Sequence, residues 1–267
     1  MSSIKKISIV ASVLLLVGVI GSLITFNTIN NSVPVSEEAI IDDNLTDIEI
    51  RADNEQVRLN STDDDKAKVA LSGRITEGIK KQLNVDVEGS TLSIELEDED
   101  RKFFKFFDFI GTSLTLNVYL PEKAYESLQV DIDNGSFQAE QFSIKNVEAE
   151  VDNGYLEMKN IAATMITTEV DNGKVFLENT EGNINGKVNN GKIYLKTKNL
   201  DRPITLESNN GNIRIETDKE PTNTIFDIKT DNGNATVFGS SNWDTVTGDG
   251  DNLIKLTTNN GNINVVK

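Results

Sequence analysis

The sequence predicts an all-β ectodomain, a parallel β-solenoid (β-helix) of about 20-residue Asx-Asn-Gly repeats with an N-terminal β cap, preceded by one transmembrane helix. Three observations predict it. An uncharged apolar run stands near the start, the tripeptide D-N-G or N-N-G recurs across the second half, and hydrophobic residues alternate on both sides of each copy. The expected order is a cytoplasmic N-terminus (1–6), a signal-anchor (7–26), a linker (27–44), a β cap region (45–120) and the repeat region (121–267).

The run ISIVASVLLLVGVIGSLITF, from Ile7 to Phe26, is long enough to span a bilayer as a helix. Lys5 and Lys6 precede it, and no Lys or Arg follows until Arg51, so the charge bias leaves the N-terminus in the cytoplasm and exports the rest. A cleaved signal peptide is the rival reading, but TFNTINNSVPVS offers no convincing small-x-small site. With no Cys in the chain there is no lipobox, so a lipid cannot be the anchor.

The repeat carries the fold prediction. Its turn residues are Asn134-Gly135, Asn153-Gly154, Asn172-Gly173, Asn190-Gly191, Asn210-Gly211, Asn232-Gly233 and Asn260-Gly261. Two residues after each Gly stand Phe137, Leu156, Val175, Ile193, Ile213, Ala235 and Ile263; four after stand Ala139, Met158, Leu177, Leu195, Ile215, Val237 and Val265. Two positions before the Asn stand Ile132, Val151, Val170 and Val188, then Ser208, Thr230 and Thr258. Such alternation means strands with one buried face on each side of the turn, with Asn and Gly supplying positive φ. Two topologies fit. In a solenoid, equivalent residues stack in parallel at roughly 4.8 Å per rung; in an antiparallel meander each N-G closes a type I′ hairpin and sets Val151 opposite Leu156. Near-constant spacing, with one tight turn per period, favours the solenoid.

Before the repeat, IEIRADNEQVRLN, KVALSG, QLNVDVEGSTLSIEL and SLTLNVYLP read as strands of a cap, and Pro121 marks entry to the regular part. Within this region RKFFKFFDFIG holds Phe103, Phe104, Phe106, Phe107 and Phe109. It reads either as a plug over an end of the core or as a membrane or partner contact with Arg101, Lys102 and Lys105 facing anionic lipid.

A single N-terminal anchor, then NVYLPEKAYESLQVDIDNGSF, then recurring D-N-G units with alternating hydrophobics, resemble the candidate-adhesin β-strand-repeat family of Gram-positive bacteria. The LiaG-type members, tied to cell-envelope stress operons, are especially similar. The resemblance implies an extracytoplasmic envelope protein whose partner is a cell-envelope polymer or a membrane protein. It carries over no catalytic residues.

Composition narrows the chemistry. Cys and His are absent, which removes thiol and imidazole catalysis and Cys or His zinc sites. A net charge of −17 argues against nucleic acid. Asp63 to Asp65, Glu97 to Asp100, and the T-G-D-G-D-N stretch with Asp249, Asp251 and Asn252 lack a calcium-loop spacing and read as solvated turns. The column Asp133, Asp152, Asp171 and Asp231 is diluted by Asn189, Asn209 and Asn259 and needs no metal. No carboxylate pair stands out for glycan hydrolysis, although Lys174, Lys187 and Lys192 would be the cations available to a lyase. Trp243 either stacks on a sugar or packs the C-terminal end. The sequence therefore reads as a non-enzyme without cofactor or metal.

Overall fold

A computed structural model of the chain describes residues 32–76, 80–98, 113–243 and 245–267. Its first seven strands are β1 (Ser32–Ile41), β2 (Asp47–Ala52), β3 (Gln56–Thr62), β4 (Ala67–Thr76), β5 (Lys81–Glu88), β6 (Thr91–Asp98) and β7 (Ser113–Pro121). Four long strands follow: β8 (Ala124–Ala162), β9 (Met165–Glu178), β10 (Asn183–Thr197) and β11 (Ile204–Thr217). The chain ends in β12 (Thr224–Asn232), β13 (Ala235–Val237), β14 (Val246–Thr247), β15 (Asn252–Asn260) and β16 (Ile263–Val266). All belong to one sheet of mixed topology. The expected span 7–26 lies outside the described residues, and among those described no helix is long and apolar enough to cross a membrane.

The Asx-Asn-Gly tripeptides bend strands rather than reverse them. Each long strand has an arm before the bend and an arm after it. Val147, Ala149 and Val151 from the first arm and Leu156, Met158 and Ile161 from the second join one core cluster. Neighbouring rungs pair in parallel and in register: Val151 lies beside Val170, Gly154 beside Gly173, and Leu156 beside Val175. The hairpin pairing of Val151 with Leu156 does not occur.

Only glycine supplies the positive φ at these bends; the preceding asparagines do not adopt it. Gly154 has φ 153°, and a Cβ there would lie 1.8 Å from the carbonyl oxygen of Gly135. The asparagines instead hydrogen-bond along the stack. Asn153 Nδ2 donates to Asn134 Oδ1 at 3.0 Å, Asn172 to Asn153 at 2.9 Å, Asn190 to Asn172 at 3.0 Å, and Asn210 to Asn190 at 2.9 Å.

The stack is not in chain order at its C-terminal end. β11 pairs with β15 and β16, which in turn pair with β12 and β13, so the last rung of the chain is inserted before the preceding one. The ladder follows this order: Asn260 donates to Asn210 at 2.8 Å and Asn232 to Asn260 at 3.0 Å. Thr258 and Thr230, standing where earlier rungs have Val, donate their hydroxyls to the carbonyls of Gly211 and Gly261, each at 2.9 Å. Phe238 and Trp243 pack against the core at this end, as expected of a Trp closing it.

At the other end β2 and β3 form a bent rung against β8, with Asp53-Asn54-Glu55 in the bend. Asn134 Nδ2 donates to Asn54 Oδ1 at 3.2 Å, which extends the ladder by one rung that a search for Gly misses. β6 and β7 stack outside it, and antiparallel β5 and β4 outside them. Residues 32–41, expected within the linker, instead form β1 along β4. Val35, Ala39 and Ile41 point to the core at period two, a strand signal hidden among Ser, Pro and Glu.

Candidate functional site

Buried positions of the repeat are spent on the core, so recognition falls to the outward positions. On the arm after each bend these are the first and third residues past the bend. Along the stack the first position reads Ser136, Tyr155, Lys174, Lys192 and Asn212; the third reads Gln138, Glu157, Phe176, Tyr194 and Arg214. Adjacent rungs thus bring Tyr155, Lys174, Lys192, Phe176 and Tyr194 to one groove of about 640 Å³, floored at the bend by Gly154 and Gly173.

Phe176 and Tyr194 stack with their rings 2° from parallel and centroids 5.1 Å apart. That spacing follows from the rung repeat. The free face of Phe176 is covered by the Lys159 ammonium, 5.5 Å from its centroid, and Lys159 itself pairs with Glu157 at 2.6 Å. The Tyr194 hydroxyl donates to Glu216 at 2.7 Å. Burial, then the bond to Glu157, pushes the Tyr155 phenol above its ordinary range.

Lys174 and Lys192 are neighbours in register and both exposed. Neither makes an ion pair among the described residues. The contrast with other lysines is sharp: Lys187 pairs with Glu169, Lys196 with Glu178 at 2.8 Å and Lys255 with Glu207 at 2.8 Å. Two like charges directly opposed on adjacent strands are unfavourable.

The arm before the bend shows the opposite character. Asp131, Glu150 and Glu169 share one outward column, with Asp152 and Asp171 beside it. Burial raises the Glu150 carboxyl above its ordinary range, and Asp131, Glu169, Asp152 and Asp171 add to it. Further along, Asn189 donates to Asp171, and Asn209 to Asn189 at 2.9 Å, so amides relieve the column there. Among the described residues no group of three or more Asp or Glu is placed to hold a metal ion.

The turn asparagines and glycines named from the sequence all lie at the bends, on the edge between the two arms. Phe103, Phe104, Phe106, Phe107 and Phe109 lie outside the described residues, between β6 and β7. The groove escaped the sequence reading because alignment on Gly was followed at its inward positions. The same alignment at the outward positions lines up Tyr155 with Lys174 and Lys192, and Phe176 with Tyr194.

Solved structures that match include a candidate adhesin from Bacteroides fragilis, at 12% identity over 88% of this chain and 97% of that one, with a TM-score of 0.49. A candidate cell adhesion protein from Clostridium sporogenes matches at 13% identity over 87% of this chain and 99% of that one, with a TM-score of 0.33. A candidate lipid binding protein from Parabacteroides distasonis matches at 17% identity over 88% and 97%, with a TM-score of 0.31. At such values the likeness carries nothing about function. No curated protein matches the chain. The family model Toastrack DUF4097 matches twice, over residues 45–181 and 134–266. The chain belongs to that family, whose domains are non-catalytic.

Proposed function

We propose that the protein is a membrane-anchored, extracytoplasmic surface protein whose stacked rungs form a β-solenoid, and that this rod is a rigid binding platform for cell-envelope polymer. The observation that carries the reading is the groove at Lys174, Lys192 and the Phe176–Tyr194 stack, on the opposite arm from the acidic columns. The uncharged run 7–26 and the lysines before it support an anchor with the platform outside the cytoplasm. A rod built of in-register rungs holds its outward columns at fixed spacing, which suits a repeating ligand.

The test uses the full chain in lipid nanodiscs, incubated with envelope extract, with the bound fraction separated into glycan, phosphate-rich polymer and protein. Enrichment of polymer supports the platform. Enrichment of one membrane protein alone overturns it and points to a regulatory accessory.

A further inference from the structure

The outward face of the arm after the bend holds an arrangement that folding does not explain. In a chain of net charge −17, two exposed lysines stand in adjacent rungs with no acid between them. Acidic residues were available: Glu157 and Glu178 lie on the same arm but pair with Lys159 and Lys196. The lysine pair is therefore left with an unbalanced positive charge and open to solvent. A ligand that brings negative charge to both lysines removes their mutual repulsion.

Phe176 offers no platform to a neutral sugar. A pyranose stacks on an exposed ring face, yet Phe176 has one face against Tyr194 and the other under Lys159. What Phe176 turns toward the groove is ring edge, the positive rim of the aromatic quadrupole. The ring edge and two ammonium groups both favour an anion. Lysine offers a compact point charge with rotatable donors and serves phosphate in that form, without the planar fork by which arginine grips carboxylate and phosphate alike.

We infer that the groove binds a phosphate-bearing polymer, laid along the stack so that Lys174 and Lys192 each meet one acidic group. The inference rests on the platform reading and names its ligand class. Lys174 and Lys192 stand on adjacent rungs, roughly 4.8 Å apart at the backbone, so closely repeated phosphates along a chain come within reach of both flexible side chains.

Inorganic polyphosphate is the probe, with polygalacturonate and dextran as comparators, on the full chain in nanodiscs of zwitterionic lipid. Polyphosphate binding should fall about tenfold or more in Lys174→Gln/Lys192→Gln, as loss of two charge-assisted contacts requires. It should hold in Lys174→Arg/Lys192→Arg, and in the charge-matched control Lys198→Gln/Lys219→Gln, whose lysines lie outside the groove. Equal losses in both Gln pairs, unchanged binding in the groove pair, or tighter binding of polygalacturonate or dextran would each overturn the site. Envelope polymer captured independently of the two lysines would leave the platform standing and remove this site. Lysine-dependent polyphosphate binding without capture from extract would keep the site and remove the platform.

Discussion

Glu55 stands where every later rung has glycine, and its environment shows what the position costs. The carboxylate is fully buried and meets Lys81 Nζ at 2.8 Å, while the Asn54 amide donates to its other oxygen at 2.8 Å. Burial raises its pKa, and Lys81 opposes that rise. Glu55→Gly would recreate the D-N-G motif, yet it removes the carboxylate paired with a buried ammonium. We expect it to destabilise by about 3–5 kcal/mol, and Glu55→Leu/Lys81→Met to restore most of the loss. Urea midpoints of a 32–267 fragment measure both; a neutral Glu55→Gly would show that motif conformity outweighs the ion pair. Glycine elsewhere at the bends answers a steric demand. Gly211 lacks the positive φ of Gly154, but a Cβ there would lie 1.5 Å from the Gly191 carbonyl oxygen.

Among the elements, the inserted final rung is the most consequential. β15 and β16 bury Ile254, Leu256, Ile263 and Val265 completely between β11 and the β12–β13 rung. A chain ending at Asp251 would remove the only strands that join those rungs among the described residues. Amide exchange should then show protection lost throughout β12 and β13 and weakened in β11, with β9 and β10 retained. Persistent protection in β12 would mean that it can dock directly on β11. Because β12 and β13 precede their neighbour in the chain, this end cannot assemble strictly from N- to C-terminus. The parallel, non-local pairing also makes slow folding the expectation.

Across the whole molecule, the two arms present different charge to solvent, and the chain carries no cysteine to complicate labelling. That absence makes the proposed topology testable in intact cells. With single substitutions Ser2→Cys and Ser241→Cys, an impermeant maleimide should label only the second, and the first after permeabilisation. Labelling of the Ser2→Cys protein alone would reverse the orientation. Release of the labelled Ser241→Cys protein to the medium would instead mean that the anchor is cleaved. The acidic columns before the bend and the lysine groove after it place opposite charge on the two arms.

The period-two alternation around Asn-Gly made the strands, their buried faces and the in-register repeat legible, since burial chemistry and turn stereochemistry are local properties. It also pointed to Trp243 as an end-closing residue. The sequence left β1 concealed, because Val35, Ala39 and Ile41 alternate weakly among polar neighbours and gain meaning only beside β4. It hid the rung at Asp53-Asn54-Glu55, since Glu55 is acceptable there only when Lys81 folds against it. At the bends the positive φ assigned to Asn belonged to Gly alone, and the asparagines there form an amide ladder along the stack. Rung order at the C-terminal end was decided by tertiary structure. It depends on which strands pair, a long-range choice that no local spacing encodes.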